Sequence, residues 1–471
     1  MMMMIMMMMI DANNLYGAAM SQSLPQSGFE WVEDHGLTEA SIRSTTDEEW
    51  NQSEVGYFVE VDCDYPPELH EDHNFFPLMP STEKITAGML SPDQVHLAEQ
   101  LNIKLGHCSK VVTSFLPKRS YVTHIRNLSL YLKLGVRLKK IHRVLRFQQA
   151  PFLQSYIAMN TDLRREAQDE TMKAFAKLMV NSLYGKTCEN VERFRDIRLV
   201  TTREALLRCV RNPNFTGRIS LSLCSLYITL VGGVYYEAAR FASVELKKSS
   251  ILLNKPRHIG CAVLALSKII MYSFFYDWLK PQYPRSEVCF TDTDSLCLKI
   301  DTEPGHDLYA ALRDSDMVRP LLLLPPPITM SFFQMDFSNY PHTHPNFSMR
   351  NYLTPGKFKD ECGGTPISSV VSLCAKMYSL EMQGGGRKMA AKGISRQAQA
   401  SLSHADYLTT FQEDRRREHV MHRLGVKHHQ IMTLKEKRFG LNAFNDKRYQ
   451  TKQGLNYAFG HCKIPVWRPW K

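Results

Sequence analysis

Residues 287–300 read EVCFTDTDSLCLKI, a polar tip set between two apolar arms. Apolar runs of strand length on both sides of a short polar turn predict a β-hairpin that presents Asp292 and Asp294 at its turn. Two carboxylates two residues apart repel each other unless a cation lies beside them, and hard oxygen ligands of this kind suit Mg²⁺. Asp-rich turns are common, so the meaning of this hairpin rests on what else in the chain can meet it.

Two other stretches are candidates. The chain opens MMMMIMMMMIDANNLYG (1–17), ten apolar residues running into Asp11, a polar turn and Tyr16. A charged leader is missing and an acid follows the run, which fits a signal peptide poorly. As the strand that positions Asp11 the run is apolar enough to be buried, although methionine is flexible and weakly strand-forming. The second stretch is KAFAKLMVNSLYGKT (173–187). Lys173, Lys177, Asn181 and Tyr184 share one helical face, with Phe175, Leu178 and Met179 away from it. Two ammonium groups, an amide and a phenol in one stripe suit a nucleoside triphosphate, cations for the phosphates and a flat ring for the base or sugar. If Asp11 and Asp294 meet, they can hold two Mg²⁺ ions about 4 Å apart, the arrangement used for in-line nucleotidyl transfer. Lys177 would then face the charge developing on the leaving group.

Composition sets the frame. The 471 residues suffice for roughly two to four domains, and 44% apolar and 22% charged content is that of a globular protein. The formal charge of +11 is unevenly placed: residues 101–150 hold eleven Lys or Arg and no acid, whereas residues 28–75 are acidic. The stretch HIRNLSLYLKLGVRLKKIHRVLRF interleaves cations with aromatic and aliphatic residues, which reads as a surface facing a polyanion or as a solvated helix face. Eleven scattered cysteines with no C-x-x-C pair argue for reduced intracellular thiols and against a zinc or disulfide framework. His70 and His73, without a third partner nearby, read as a polar loop. Residues 219–236 are uncharged but only mildly apolar, a buried strand or insertion, so no membrane association is expected. Three consecutive prolines, 325–327, make 320–333 a loop. The glycines at 384–386 mark a turn before a basic, helix-compatible stretch that runs to about residue 440, including EDRRREHVMHR, a solvated helix and only a weak nuclear-targeting cluster. Nucleus and cytoplasm both remain open as locations.

DANNLYG, K-x-x-x-N-S-x-Y-G (Lys177 to Gly185) and FTDTDS (Phe290 to Ser295) resemble motifs A, B and C of family B DNA polymerases, in the order of the protein-primed branch. Longer phrases, among them YLKLGVRLKKIHRVLRFQQAPFL, GKFKDE and KMYS, are similar to polymerases of Polinton/Maverick-type elements and related viruses and linear plasmids. The resemblance implies an α+β right-hand fold, with an antiparallel palm sheet, helical fingers and a small thumb. It implies the palm's first part with an inserted segment over 1–120, a basic segment and fingers over 121–190, palm with the catalytic hairpin over 191–380, and thumb over 381–471. Asp11 and Asp294 would be the bridging metal ligands, joined by the Ala12 carbonyl, with Asp292 as the accompanying acid. Tyr16 would exclude a 2′-hydroxyl and Tyr184 lie over the nascent base pair. Lys177 would hold the triphosphate, helped by Lys173 and Arg165. Lys376 and Tyr378 would hold the primer terminus, and Lys388 and Lys392 the duplex.

The implied activity is DNA-templated DNA synthesis from dNTPs with two Mg²⁺ ions, Mn²⁺ being a substitute, on a primer-template or a terminal protein. Relatives place a 3′–5′ exonuclease before motif A, which here begins at residue 11, so no proofreading is expected. A truncated copy that only binds DNA is the competing reading. A reverse transcriptase is disfavoured, since its hairpin would carry two adjacent aspartates where this one has Asp-Thr-Asp.

Overall fold

The computed structural model describes residues 4–221, 242–305, 308–314, 335–427 and 430–465. The proline loop at 320–333 and all but the first residues of 219–236 lie outside these. Residues 219–221 end a strand, Phe215–Leu221, in a small antiparallel sheet with Arg195–Val200 and Ala242–Lys247.

The methionine run forms a strand, Met4–Ala12, at the centre of a five-stranded sheet. It pairs antiparallel with Ser295–Thr302, from Met4 opposite Thr302 to Asp11 opposite Ser295. On its other side, Ile10 to Ala12 pair with Phe358–Asp360. Side chains alternate across the strand, and both faces are covered. Met8, Ile10 and Ala12 enter the main core with Leu298 and Phe358, while Met7 and Met9 face a second cluster with Cys297, Ile367, Tyr378 and Leu380. A strand buried on both sides needs no polar alternation, which is why an unbroken apolar run suffices. Methionine's unbranched side chain adapts to both surroundings. The predicted catalytic hairpin is the adjoining pair of strands, Glu287–Asp292 and Ser295–Thr302, with Thr293 in the left-handed region (φ 67) at its turn.

A second, four-stranded sheet is ordered Leu24–Val32, Arg137–Ala150, Val55–Asp64, Lys118–His124. It corrects the reading of the basic tract. Within that tract only Ile125–Lys133 is helical, and its face is largely buried; Arg137–Ala150 is a fourteen-residue strand. Its cations meet the acids of the neighbouring strand: Arg143 lies 2.6 Å from Glu60, His142 2.9 Å from Asp62 and Lys139 3.5 Å from Asp64, while Arg119 reaches Asp64 at 2.9 Å. The acidic and basic stretches thus partly neutralise one another. The division expected at residue 120 passes through this sheet.

Behind both sheets runs Arg257–Gln282, long and apolar enough to cross a membrane but with 78% of its most apolar window buried inside the protein. Its first part, Arg257–Ser273, packs on the helices Leu15–Met20, Ile125–Lys133 and Glu170–Thr187.

The C-terminal region departs from the helical expectation. Gly384 and Gly385 turn at φ 84 and 88 between the strands Met377–Met382 and Arg387–Ala391, which join Ile367–Cys374 in a three-stranded sheet. The division expected at 380/381 therefore also crosses a sheet. Two short helices, Arg396–Ala400 and His404–Gln412, precede a long hairpin, Arg416–Lys427 with Gln430–Asn442. EDRRREHVMHR is mostly the first strand of that hairpin. Its charges pair across it, Arg423 with Glu436 at 2.7 Å, a partner that local composition does not reveal.

Ile10 is fully buried at the centre of the first sheet. Ile10→Ala is expected to lower unfolding free energy by about 3 kcal/mol, read as a lower urea midpoint at unchanged slope.

Candidate active site

The DANNLYG turn is built for close approach. The strand ends at Ala12, and Asn14 adopts the left-handed conformation (φ 44) as N-cap of Leu15–Met20, its side chain accepting from the Gly17 N–H at 3.2 Å. A Cβ on Gly17 would come within 2.2 Å of the Asn14 side chain, so only glycine fits. The turn is fastened on both sides: the Ala12 N–H donates to the Asp294 carbonyl (2.7 Å), the Asn13 N–H to the Lys357 carbonyl (2.8 Å), and the Gly356 N–H to the Asn13 carbonyl (2.7 Å). Asn13 Nδ2 donates to the buried carboxylate of Asp336 at 2.6 Å.

These bonds bring Asp11 and Asp294 to one place although the chain separates them by most of its length. Together with Tyr16, Lys177 and Asn181 they line a single cleft. Burial, then the charges of Asp294 and Glu361, push the Asp11 carboxyl up to about 7, against the pull of Lys359 and Lys388. Burial and the neighbouring Asp292 likewise raise Asp294. Crowded, partly desolvated carboxylates of this kind gain most from a divalent cation, and an all-oxygen donor set fits Mg²⁺. Ala12 is fully buried directly after Asp11 and pairs with Phe358.

The other expected residues divide. Tyr16 and Tyr184 stack on each other, ring centroids 4.1 Å apart at 15°. Lys177 and Asn181 reach the cleft from Glu170–Thr187; Lys173, one turn earlier, does not line it and instead pairs with Glu170 at 2.9 Å. Phe175 and Leu178, on the far face, are exposed. Arg165 does not line the cleft either, because its guanidinium is held by the Tyr352 carbonyl (3.0 Å) and Thr354 Oγ1 (2.7 Å); Arg164 lines it instead.

Asp292 is ion-paired with Lys376 at 2.7 Å, so the turn carrying Lys376 (φ 62) touches the hairpin at 287–302 directly. Tyr378, two residues on, stacks on Phe290 at 4.3 Å. Lys388 is not free on an open surface but pairs with Glu361, which also holds Lys359 at 2.9 Å. Lys392 is exposed, its N–H bonded to the Lys376 carbonyl at 3.1 Å.

Sequence reasoning passed over Lys359, Glu361 and Arg164. GKFKDE carries the first two, and the signal was alternation: Lys359 is the cross-strand partner of Asp11.

Comparison with known proteins gives the following similarities. Residues 4–227 match the sequence profile of the organellar and viral DNA polymerases of type B. Over that stretch, a little under half of its length, the chain is similar to this family of DNA polymerases. Among solved structures it is similar to phi29 DNA polymerase in an orthorhombic crystal form, with 13% identity over 93% of this chain and a TM-score of 0.48. The same enzyme complexed with primer-template DNA and incoming nucleotide substrates matches at 13% identity over 92% of the chain, with a TM-score of 0.47. The chain spans 59% and 58% of the length of those two structures. No curated protein sequence matches it.

The raised Asp11 carboxyl has a measurable consequence. Unfolding returns it from about 7 to its ordinary 3.8, so across that window the native state binds a proton that the unfolded chain lacks. Its contribution to stability is greatest at low pH and falls as pH rises through the window. A cation bound by Asp11 must displace that proton. The Mg²⁺-induced rise in Tm is therefore expected to be larger at pH 8 than at pH 6; an equal rise at both would show that Asp11 is not the titrating ligand.

Proposed function

We propose that this chain is the catalytic part of a template-directed DNA polymerase, which extends a primer 3′-hydroxyl from deoxynucleoside triphosphates in the replication of a virus or virus-like mobile element. The observation that carries the reading is the convergence of Asp11, Asp294, Lys177 and Tyr16 on one cleft from three separate stretches of sequence. The family match over residues 4–227 supports the same reaction class.

In this reading Asp11 and Asp294, with the Ala12 carbonyl, hold two Mg²⁺ ions, for which Mn²⁺ can substitute; bound there, the ions acidify the primer hydroxyl and neutralise the triphosphate. Lys177 binds the phosphates and opposes the charge that builds on the departing pyrophosphate. Arg164, across the cleft, is placed to assist it, in preference to Arg165. Tyr16 forms the floor under the sugar and leaves no room for a 2′-hydroxyl, while Tyr184 packs on the base. Asp292 keeps Lys376 in place beside the hairpin, and Lys376 and Tyr378 hold the primer terminus. Lys388 reaches the site through Glu361, and Lys392 contacts duplex phosphates without reading sequence.

The five-stranded sheet is the palm in this reading, the helices Gln154–Glu166 and Glu170–Thr187 the fingers, and the region after residue 391 the thumb. The sheet over Leu24–Ala150 is the insertion, the part suited to meet template or a terminal protein that serves as primer.

Purified protein is expected to extend a primed DNA template with Mg²⁺, and Asp11→Asn or Asp294→Asn to lower the rate by at least about 10²-fold without loss of thermal stability. Salt-sensitive DNA binding with no extension by the unmutated chain would favour the DNA-binding remnant instead. Tyr16→Val is expected to raise ribonucleotide incorporation relative to deoxynucleotide, measured as the ratio of kcat/KM for the two. An unchanged ratio would remove Tyr16 from sugar selection.

A further inference from the structure

His70 and His73 do not form a polar loop. They lie in a buried one-turn helix, His70–His73, and the partners missing from the local sequence come from the far end of the chain. His70, His461 and Cys462 each offer a ligand atom, and the three atoms lie within 4.8 Å of one another. The two rings are 4% and 1% exposed, whereas Cys462 reaches solvent, which gives an ion a path in.

We propose that His70, His461 and Cys462 form a binding site for a transition-metal ion of the zinc class, separate from the carboxylate cleft. The hydrogen bonds say which nitrogens would bind. His70 Nδ1 accepts the Cys462 N–H at 3.0 Å, and His461 Nδ1 accepts the Lys463 N–H at 3.0 Å. Each Nδ1 is therefore the unprotonated nitrogen, and the ring proton sits on Nε2. Cys462 Sγ is 3.8 Å from His461 Nδ1, close to the roughly 3.5 Å that separates nitrogen and sulfur on a tetrahedral zinc ion. On the outer side, His461 Nε2 lies 3.5 Å from a carboxylate oxygen of Glu71, which Lys463 holds at 2.6 Å. Nε2 of both rings is buried without a hydrogen-bond partner, and Phe115 packs against both imidazoles, its ring centroid 4.3 Å from that of His70 and 5.6 Å from that of His461.

On binding, the Cys462 thiol gives its proton to solvent and the thiolate becomes a ligand. The ion would displace the Cys462 and Lys463 N–H groups that now donate to the two rings. Two nitrogens and a sulfur select zinc-class ions over Mg²⁺, so the two sites would not compete. The ion would clip the segment around residue 461 to the helix at residue 70. That junction already holds Arg448 against Asn74 Oδ1 at 2.9 Å and Asn74 Nδ2 against the Asn456 carbonyl at 2.9 Å.

The test uses the full chain, reduced, stripped with chelator and titrated with Co²⁺. One equivalent is expected to produce a thiolate-to-cobalt charge-transfer band that Zn²⁺ abolishes, and Zn²⁺ is expected to raise Tm. Cys462→Ser, at an exposed position, should keep the fold and primer extension while losing the band and the Tm rise. His461→Gln should weaken Zn²⁺ binding at least tenfold. No band in the unmutated protein, or an equal band in Cys462→Ser, would overturn the site. Carboxylate-bound cobalt gives no sulfur band, so the outcome is independent of the polymerase reading.

Discussion

The constraint on which the site depends is the burial of one strand on both faces. Met4–Ala12 is walled by the main core on one side and by the Tyr378 and Leu380 cluster on the other, with a strand bonded along each edge at its C-terminal end. Asp11 occupies the last position but one of this strand and shares the face of Met7 and Met9. Its carboxyl is thus half-buried, at the edge of the cleft and against this packing. The same backbone bonds that end the strand hold the Asp294 carbonyl to the Ala12 N–H. Proximity of the two acids follows from sheet register, and their repulsion is held in place by the packing around them.

Around this pair the cations are mostly committed. Lys359 and Lys388 share Glu361, Lys376 is held by Asp292, and Lys173 by Glu170. Lys177 reaches the cleft, and among the described residues no acid pairs with it, which sets it apart from Lys173 on the same helix face. The pairs are partly exposed and individually weak. Their role is geometric: they keep flexible ammonium groups at fixed positions around the acids. The Lys376–Asp292 pair does more than that, since it connects the turn before Tyr378 to the tip of the hairpin.

Much of the local design was legible. The hairpin at 287–300 announced itself by apolar arms around a polar tip, and the stripe from Lys177 to Tyr184 by helical spacing. Contacts between distant stretches were not. Arg137–Ala150 looked like a free basic face because the acids that answer it lie on another strand, some eighty residues earlier. The hairpin at 416–442 looked helical because its charges are matched across strands, whereas composition reads only along the chain. Arg164 and Arg165 are adjacent in sequence, and only the loop at 352–354 decides which of them turns towards the cleft. His70 lacked a partner for the same reason: His461 and Cys462 come from the opposite terminus.

Tyr16, which lines the cleft, is stacked on Tyr184, aromatic surface on aromatic surface. Such a contact contributes about 0.5–1.5 kcal/mol beyond its buried area. Anything that enters between the rings must separate them, and it recovers that loss only by offering flat faces of its own. A phosphate or a bare sugar cannot do so. In the polymerase reading proposed above, the stacked rings would therefore favour a planar ligand over pyrophosphate or a simple phosphate ester.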